Sequence, residues 1–140
     1  MAYWLFKSEP ETWSWEMQKK KGPKGEPWSG VRNHQAKLNM MKMKKGERGF
    51  FYHSGDAREI VGIVEVIGEY RPDPTDETGK FGLVDVKAVT NLPKPVTLTQ
   101  AKADPKLAKM TLVTFSRLSV QPVTAEEWTH ICKVGGVNER

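Results

Sequence analysis

Ile60-Val61-Gly62-Ile63-Val64-Glu65-Val66-Ile67-Gly68-Glu69-Tyr70 is the stretch whose reading decides the fold. Its β-branched residues alternate around two glycines, which suggests a strand bent at Gly62 and Gly68, as a small barrel needs at its corners. On its N-terminal side, Phe50-Phe51-Tyr52-His53 reads as an aromatic strand followed by the turn-prone Ser54-Gly55-Asp56. On its C-terminal side, the turn-rich residues 72–79 lead into Leu83 to Val89. There Val84, Val86 and Ala88 alternate with Asp85 and Lys87, the pattern of a half-buried strand.

The flanks repeat this alternation of short strands and short helices. Tyr3 to Lys7 is an aromatic strand closed by Ser8-Glu9-Pro10. Ser14 caps a helix over 15–20, and residues 21–27, rich in Gly, Pro and Lys, form an irregular loop that delivers Trp28. From Asn33 to Lys44, Ala36, Met40, Met41 and Met43 recur near helical spacing with lysines on another face, and Gly46 closes that helix. A short helix from Thr97 to Lys102 breaks at Asp104-Pro105, before a turn containing Leu107 and Met110. Leu118 to Gln121 reads as a last strand ended by Pro122. Thr124-Ala125-Glu126-Glu127 is a capping box opening a helix over 125–133, with Gly135 as its stop. These helices are too brief to serve as crossovers of a parallel sheet. The expected fold is therefore α+β, a small, mainly antiparallel β-barrel flanked by short helices, formed as one domain over residues 1–140.

Composition narrows the function classes. No apolar run in the 140 residues approaches the ~20 residues of a membrane span. The first residues lack the basic leader and apolar run of a signal peptide, so a cytoplasmic location and no membrane partner are expected. Cys132 is the only cysteine, which excludes an internal disulfide and suits a small core residue. The formal charge of +5 is compatible with a polyanionic partner and, equally, with solubility alone.

Catalytic and cofactor signatures are missing. There is no Walker loop and no Gly-x-Gly-x-x-Gly. His34, His53 and His130 are scattered and show no metal-ligand spacing, so neither metal nor cofactor is expected. Ser54, His53 and Asp56 could be drawn as a triad, but strand neighbours point to opposite faces and no nucleophile elbow surrounds the serine.

Five tryptophans stand in this chain, four of them (Trp4, Trp13, Trp15 and Trp28) within the first 28 residues. Trp28 follows a polar loop and precedes Ser29-Gly30, where an aromatic ring can wall a cleft. Unstacked bases are held by aromatic faces and read by a few polar groups. Asn33 offers a donor and an acceptor, Arg32 and Arg117 offer forks for phosphate or a base edge, and Ser8, Ser54 and Ser119 offer hydroxyls. Each also has a plainer use: Asn33 as a helix cap, Arg117 as the partner of an acid.

Four segments together carry a resemblance: residues 3–10 (YWLFKSEP), 28–36 (WSGVRNHQA), 51–54 (FYHS) and 117–122 (RLSVQP). They resemble the signature segments of the EVE domain, a PUA-like family related to the YTH modules that read methylated adenine in RNA. The resemblance implies a PUA-like barrel that binds a modified base, chiefly modified cytosine in DNA; since no motif arranges a nucleophile, metal or cofactor, no catalysis is expected, and the chain is expected to be a monomer. The resemblance places Trp28, Val31, Arg32 and Asn33 on one side of a pocket with Ser8 and Glu9 at its floor or rim. Tyr52, His53 and Ser54 would approach from the second aromatic strand, and Arg117, Ser119 and Gln121 from the last. Lys37, Lys42, Lys44 and Lys45 would hold the nucleic-acid backbone. Many relatives carry an aromatic insertion and a tryptophan before the Val84-Asp85-Val86 strand, where this chain has Phe81-Gly82-Leu83 after a short acidic loop. Two other readings are a module for structured RNA, such as transfer RNA, and an enzyme acting on nucleotides or RNA with Glu9 or His53 as acid or base.

Overall fold

The computed structural model describes residues 1–137. Its strands are β1 (Tyr3–Ser8), β2 (Glu26–Pro27), β3 (Arg48–His53), β4 (Glu59–Pro72), β5 (Gly82–Thr97) and β6 (Val120–Val123). Its helices are α1 (Trp15–Lys20), α2 (His34–Lys42), α3 (Leu98–Ala103), α4 (Thr111–Thr114) and α5 (Ala125–Val134). The loop before Trp28 is more regular than its composition suggests: Pro23 sits in a 3-10 turn, Gly22–Lys24, and β2 follows.

The strands form one sheet in the order β2-β5-β4-β3-β1-β6. Only β1 and β3 run parallel, and the other four pairings are antiparallel. The architecture is thus α+β and mainly antiparallel, but the sheet does not close into a barrel, because β2 and β6 are not paired with each other. A helix covers the gap. α2 packs against β6, β4 and β5, and the Asn39 side-chain amide donates to the Val120 carbonyl at 2.8 Å, supplying a partner that a closing strand would otherwise provide. Pro122, expected to end the last strand, lies within β6. An edge strand tolerates the missing N–H.

Gly62 and Gly68 coincide with irregularities in the β4–β5 register, as a bent strand requires. They also make room. A Cβ on Gly62 would run into the Trp15 ring, and one on Gly68 into the Asp85 carboxylate. β5 is longer than the alternation of 83–89 implies. Between the pairs Gly62↔Asn91 and Ile60↔Val96, residues 92–95 stand opposite Val61 alone, a bulge that accommodates Pro93 and Pro95.

Period-two alternation gives the sheet a core on each face. Trp4, Phe6, Phe51, Val64, Val84 and Val86 belong to one, with Trp15, Trp28, Ala36, Met40 and Met43. Leu5, Phe50, Tyr52 and Ile63 belong to the other, under Leu107, Met110, Trp128, Ile131 and Cys132 from the C-terminal third. Met41, expected on the core face of α2, is exposed. Ser14, Asn33, Thr97 and Thr124 each accept from a backbone N–H of the first helical turn, so the local start signals are used as written. Among the described residues, no helix is long and apolar enough to cross a membrane.

Candidate ligand pocket

Because β1 and β3 are parallel, their carboxyl ends meet at one end of the sheet, Ser8 beside His53. There the chain turns back through Glu9, whose carbonyl accepts from the N–H groups of Thr12 and Trp13. The segment 26–32 approaches from the other side, fixed when the Trp28 N–H donates to Val84 O at 2.8 Å. Between them lies a cavity of about 430 Å³ lined by Lys7, Ser8, Glu9, Trp13, Trp28, Val31, Arg32 and Ser119, among others. That volume is in the range of small-molecule sites.

Trp28 is buried and meets Phe6 and Phe51 edge-on, with centroids 5.2 and 5.6 Å away. What remains accessible of it adds apolar surface to the cavity lining. Trp13 is the more exposed ring, held because its indole N–H donates to Gln18 Oε1 at 2.9 Å. Gln18 is itself buried and donates to Val86 O. Ser8 Oγ donates to Trp13 O at 2.6 Å and, like any hydroxyl, retains acceptor capacity.

A carboxylate 43 residues downstream holds the wall at 30–32. Asp73, its side chain wholly inaccessible, accepts from the Gly30 N–H at 2.8 Å, Arg32 Nη1 at 3.1 Å, and the Thr75 N–H and hydroxyl at 2.8 and 2.7 Å. Burial pushes its carboxyl up, but the donors from Thr75, Gly30 and Arg32 outweigh this and hold the pKa at about 2. The next turn is built alike: Asp76 accepts from the Thr78 hydroxyl and N–H and from the Phe81 N–H, which also holds its pKa at about 2. Arg32 therefore reaches the cavity already paired with Asp73 and Thr75, with Phe81 under its guanidinium at 6.0 Å.

Of the residues expected at a pocket, Ser8, Glu9, Trp28, Val31, Arg32 and Ser119 line this cavity. Asn33 caps α2, accepting from the Ala36 N–H at 2.8 Å. His53 accepts from the Trp15 N–H at 3.0 Å, and burial lowers its pKa. Gln121 is fully buried and donates to the Leu118 and Phe115 carbonyls, fixing the turn before β6. Tyr52 and Ser54 face a second cavity across β1. Arg117 is exposed on the turn between α4 and β6. Lys37 lies in the first half of α2. Lys42, Lys44 and Lys45 lie at the far end of the sheet, where the Lys44 N–H meets Glu47 beside Trp4, most of a strand length from Ser8.

Trp13, which lines the cavity, and Asp73, which anchors the Gly30–Arg32 wall, are not among the residues expected from the sequence. The Asp73-Pro74-Thr75 and Asp76-Glu77-Thr78 repeats are a visible signal of carboxylates in tight turns, but nothing local says that one of them reaches Gly30.

A family model described as the EVE domain matches residues 2–134. Mouse thymocyte nuclear protein 1 is 34% identical over 161 residues, covering 92% of this chain and 71% of that protein. Among solved structures, a protein from Agrobacterium tumefaciens is 55% identical with a TM-score of 0.96, covering 100% of this chain and 97% of that one. The human THYN1 protein, solved in complex with DNA containing 5-methylcytosine, is 30% identical with a TM-score of 0.90, covering 100% and 99%. With a family model spanning nearly all of its length and relatives matching at this level, the chain belongs to the EVE domain family.

Proposed function

We propose that this chain is a non-catalytic reader of a modified base in DNA, 5-methylcytosine foremost, and that the cavity between Ser8-Glu9 and Trp28–Arg32 receives the base. The observation carrying this reading is the composition of that cavity: two indole rings and Val31 beside a small set of hydroxyls and carboxylates. The methylcytosine complex of the human relative directs the choice among bases. Cytosine presents an amino donor at N4, which a carboxylate such as Glu9 accepts. Ser8 and Ser119 offer hydroxyls to its acceptors, Trp13 offers a ring for stacking, and Val31 with the accessible part of Trp28 offers an apolar surface to a 5-methyl group. Arg117, beside Ser119 and exposed, is free to reach a phosphate or a base edge. A base must leave its stack to enter, at a cost of a few kcal/mol that the pocket offsets.

The unit works as one EVE domain, a monomer in the cytoplasm, where the single buried Cys132 needs no oxidising compartment. The test is titration of a short single-stranded oligonucleotide carrying one 5-methylcytosine against the protein and its Trp13→Ala variant. Base stacking on an aromatic ring is worth about 1–3 kcal/mol, so the variant binds about tenfold more weakly. Unchanged affinity, with the variant folded, refutes the reading of Trp13 as the stacking wall.

A further inference from the structure

The second cavity at this end of the sheet has a different chemistry. Lys7, Tyr52, Ser54, Arg58, Lys102 and Ser116 are among its lining residues, and it measures about 330 Å³. Three cations border it, and no carboxylate does among the described residues. Lys7 stands between the two cavities and lines both. Its ammonium donates to the Ser116 carbonyl and lies 5.7 Å from the Tyr52 ring centre. The half-buried ammonium has lost part of its hydration, which lowers its pKa, and no carboxylate is paired with it among the described residues.

Arg58 has φ of 47°, the only positive φ at a non-glycine residue among the described ones, a conformation costing on the order of 1 kcal/mol or more. The Arg58 carbonyl accepts from the Leu98 N–H while Arg58 Nε donates to Gly55 O at 3.0 Å, so the guanidinium is tethered at the cavity with its two terminal nitrogens left for another acceptor. Lys102 adds an exposed ammonium, and Tyr52, Ser54 and Ser116 add hydroxyls. A cluster of forked and point cations with hydroxyl donors fits a phosphate oxyanion.

We infer that the cleft formed by Lys7, Arg58 and Lys102 binds a backbone phosphodiester of the nucleic acid whose base occupies the first cavity. This proposal rests on reading that first cavity as the base pocket. Ser54 N–H donates to Ser8 O at 2.9 Å, so the two sites share one end of the sheet with Lys7 on the divide. The strand's path then crosses Lys7, away from Lys42, Lys44 and Lys45 at the opposite end.

The test measures binding of single-stranded oligonucleotides, one with 5-methylcytosine and one with plain cytosine, over a series of salt concentrations. Arg58→Ala and Lys102→Ala are compared with wild type and with Lys94→Ala as an equal change of charge elsewhere, all checked by thermal melting. Each cleft variant is expected to weaken both oligonucleotides by the same factor, about three- to tenfold at about 0.1 M salt, and to lower the slope of log K against log salt by about 0.7, the value per phosphate contact on a single strand. Lys94→Ala leaves the slope alone. Wild-type affinity and slope in both cleft variants overturn the proposal. Inorganic phosphate titrated alone separates the sources: if it binds the cleft while oligonucleotide affinity ignores both substitutions, the cleft takes free phosphate and the strand path is wrong. The slope is read on the plain-cytosine strand, so a failure of base discrimination in wild type is a separate result.

Discussion

Replacing Asp73 with asparagine removes the charge that gathers four donors around the wall of the pocket. An aspartate ordinarily titrating at 3.8 but held at about 2 contributes on the order of 2 kcal/mol of stability at neutral pH, at about 1.4 kcal/mol per pKa unit. The folded pKa is depressed, so that contribution is complete above the ordinary value and is lost as pH falls from about 4 through about 2. The amide of Asp73→Asn would keep one carbonyl acceptor but would turn an NH2 group toward Gly30, Arg32 or Thr75, all of them donors. Urea unfolding of wild type and Asp73→Asn from neutral to strongly acidic pH measures the effect. The variant is expected to be less stable by about 2 kcal/mol near neutrality, with the gap closing below about pH 4. Base affinity falls with it, because the Gly30–Arg32 wall loses its anchor. A gap that stays constant across that range refutes the assignment of Asp73 as a charged anchor.

His53 accepts the Trp15 N–H as a neutral imidazole, and burial lowers its pKa below the ordinary 6.5, so its contribution to stability is complete above that value and is lost as pH falls below it, through the lowered folded-state pKa. In His53→Gln that part of the decline disappears, which pH-dependent melting of the pair of proteins detects. Gly62→Ala drives a methyl into the Trp15 ring and is expected to cost about 1–3 kcal/mol, read from denaturant midpoints; an unchanged midpoint means the ring and strand can part freely. Glu9→Ala removes an exposed acceptor from the cavity rim and is expected to weaken cytosine binding by about tenfold without altering the melting temperature, as measured by fluorescence anisotropy and scanning calorimetry.

What could be read from the sequence is what depends on neighbours in the chain. Ser14, Asn33, Thr97 and Thr124 cap helices because each sits three residues before the N–H it satisfies. The aromatic strands Tyr3–Ser8 and Arg48–His53 follow from alternation, which also assigns their side chains to the two cores. Closure of the sheet was not legible, because it depends on whether α2 or another strand covers β6, a choice made through Asn39 and Val120, 81 residues apart. The same holds for the site. Trp28, Ser8 and Glu9 line one cavity, while Asn33, His53 and Gln121 spend their polar groups on the backbone. Those bonds to α1, α2 and the turn before β6 hold in place the elements that frame the cavity.

A cavity that receives 5-methylcytosine as proposed distinguishes the methylated base from its parent. The direct measurement is the ratio of dissociation constants for matched single strands carrying one 5-methylcytosine or one cytosine, taken at several salt concentrations. Burying one methyl group against Val31 and the accessible part of Trp28 is worth about 0.8 kcal/mol, so the methylated strand is expected to bind roughly fourfold more tightly, with a ratio that persists as salt weakens both. Equal binding of the two strands, erased together by salt, would contradict the account and leave a general polyanion site.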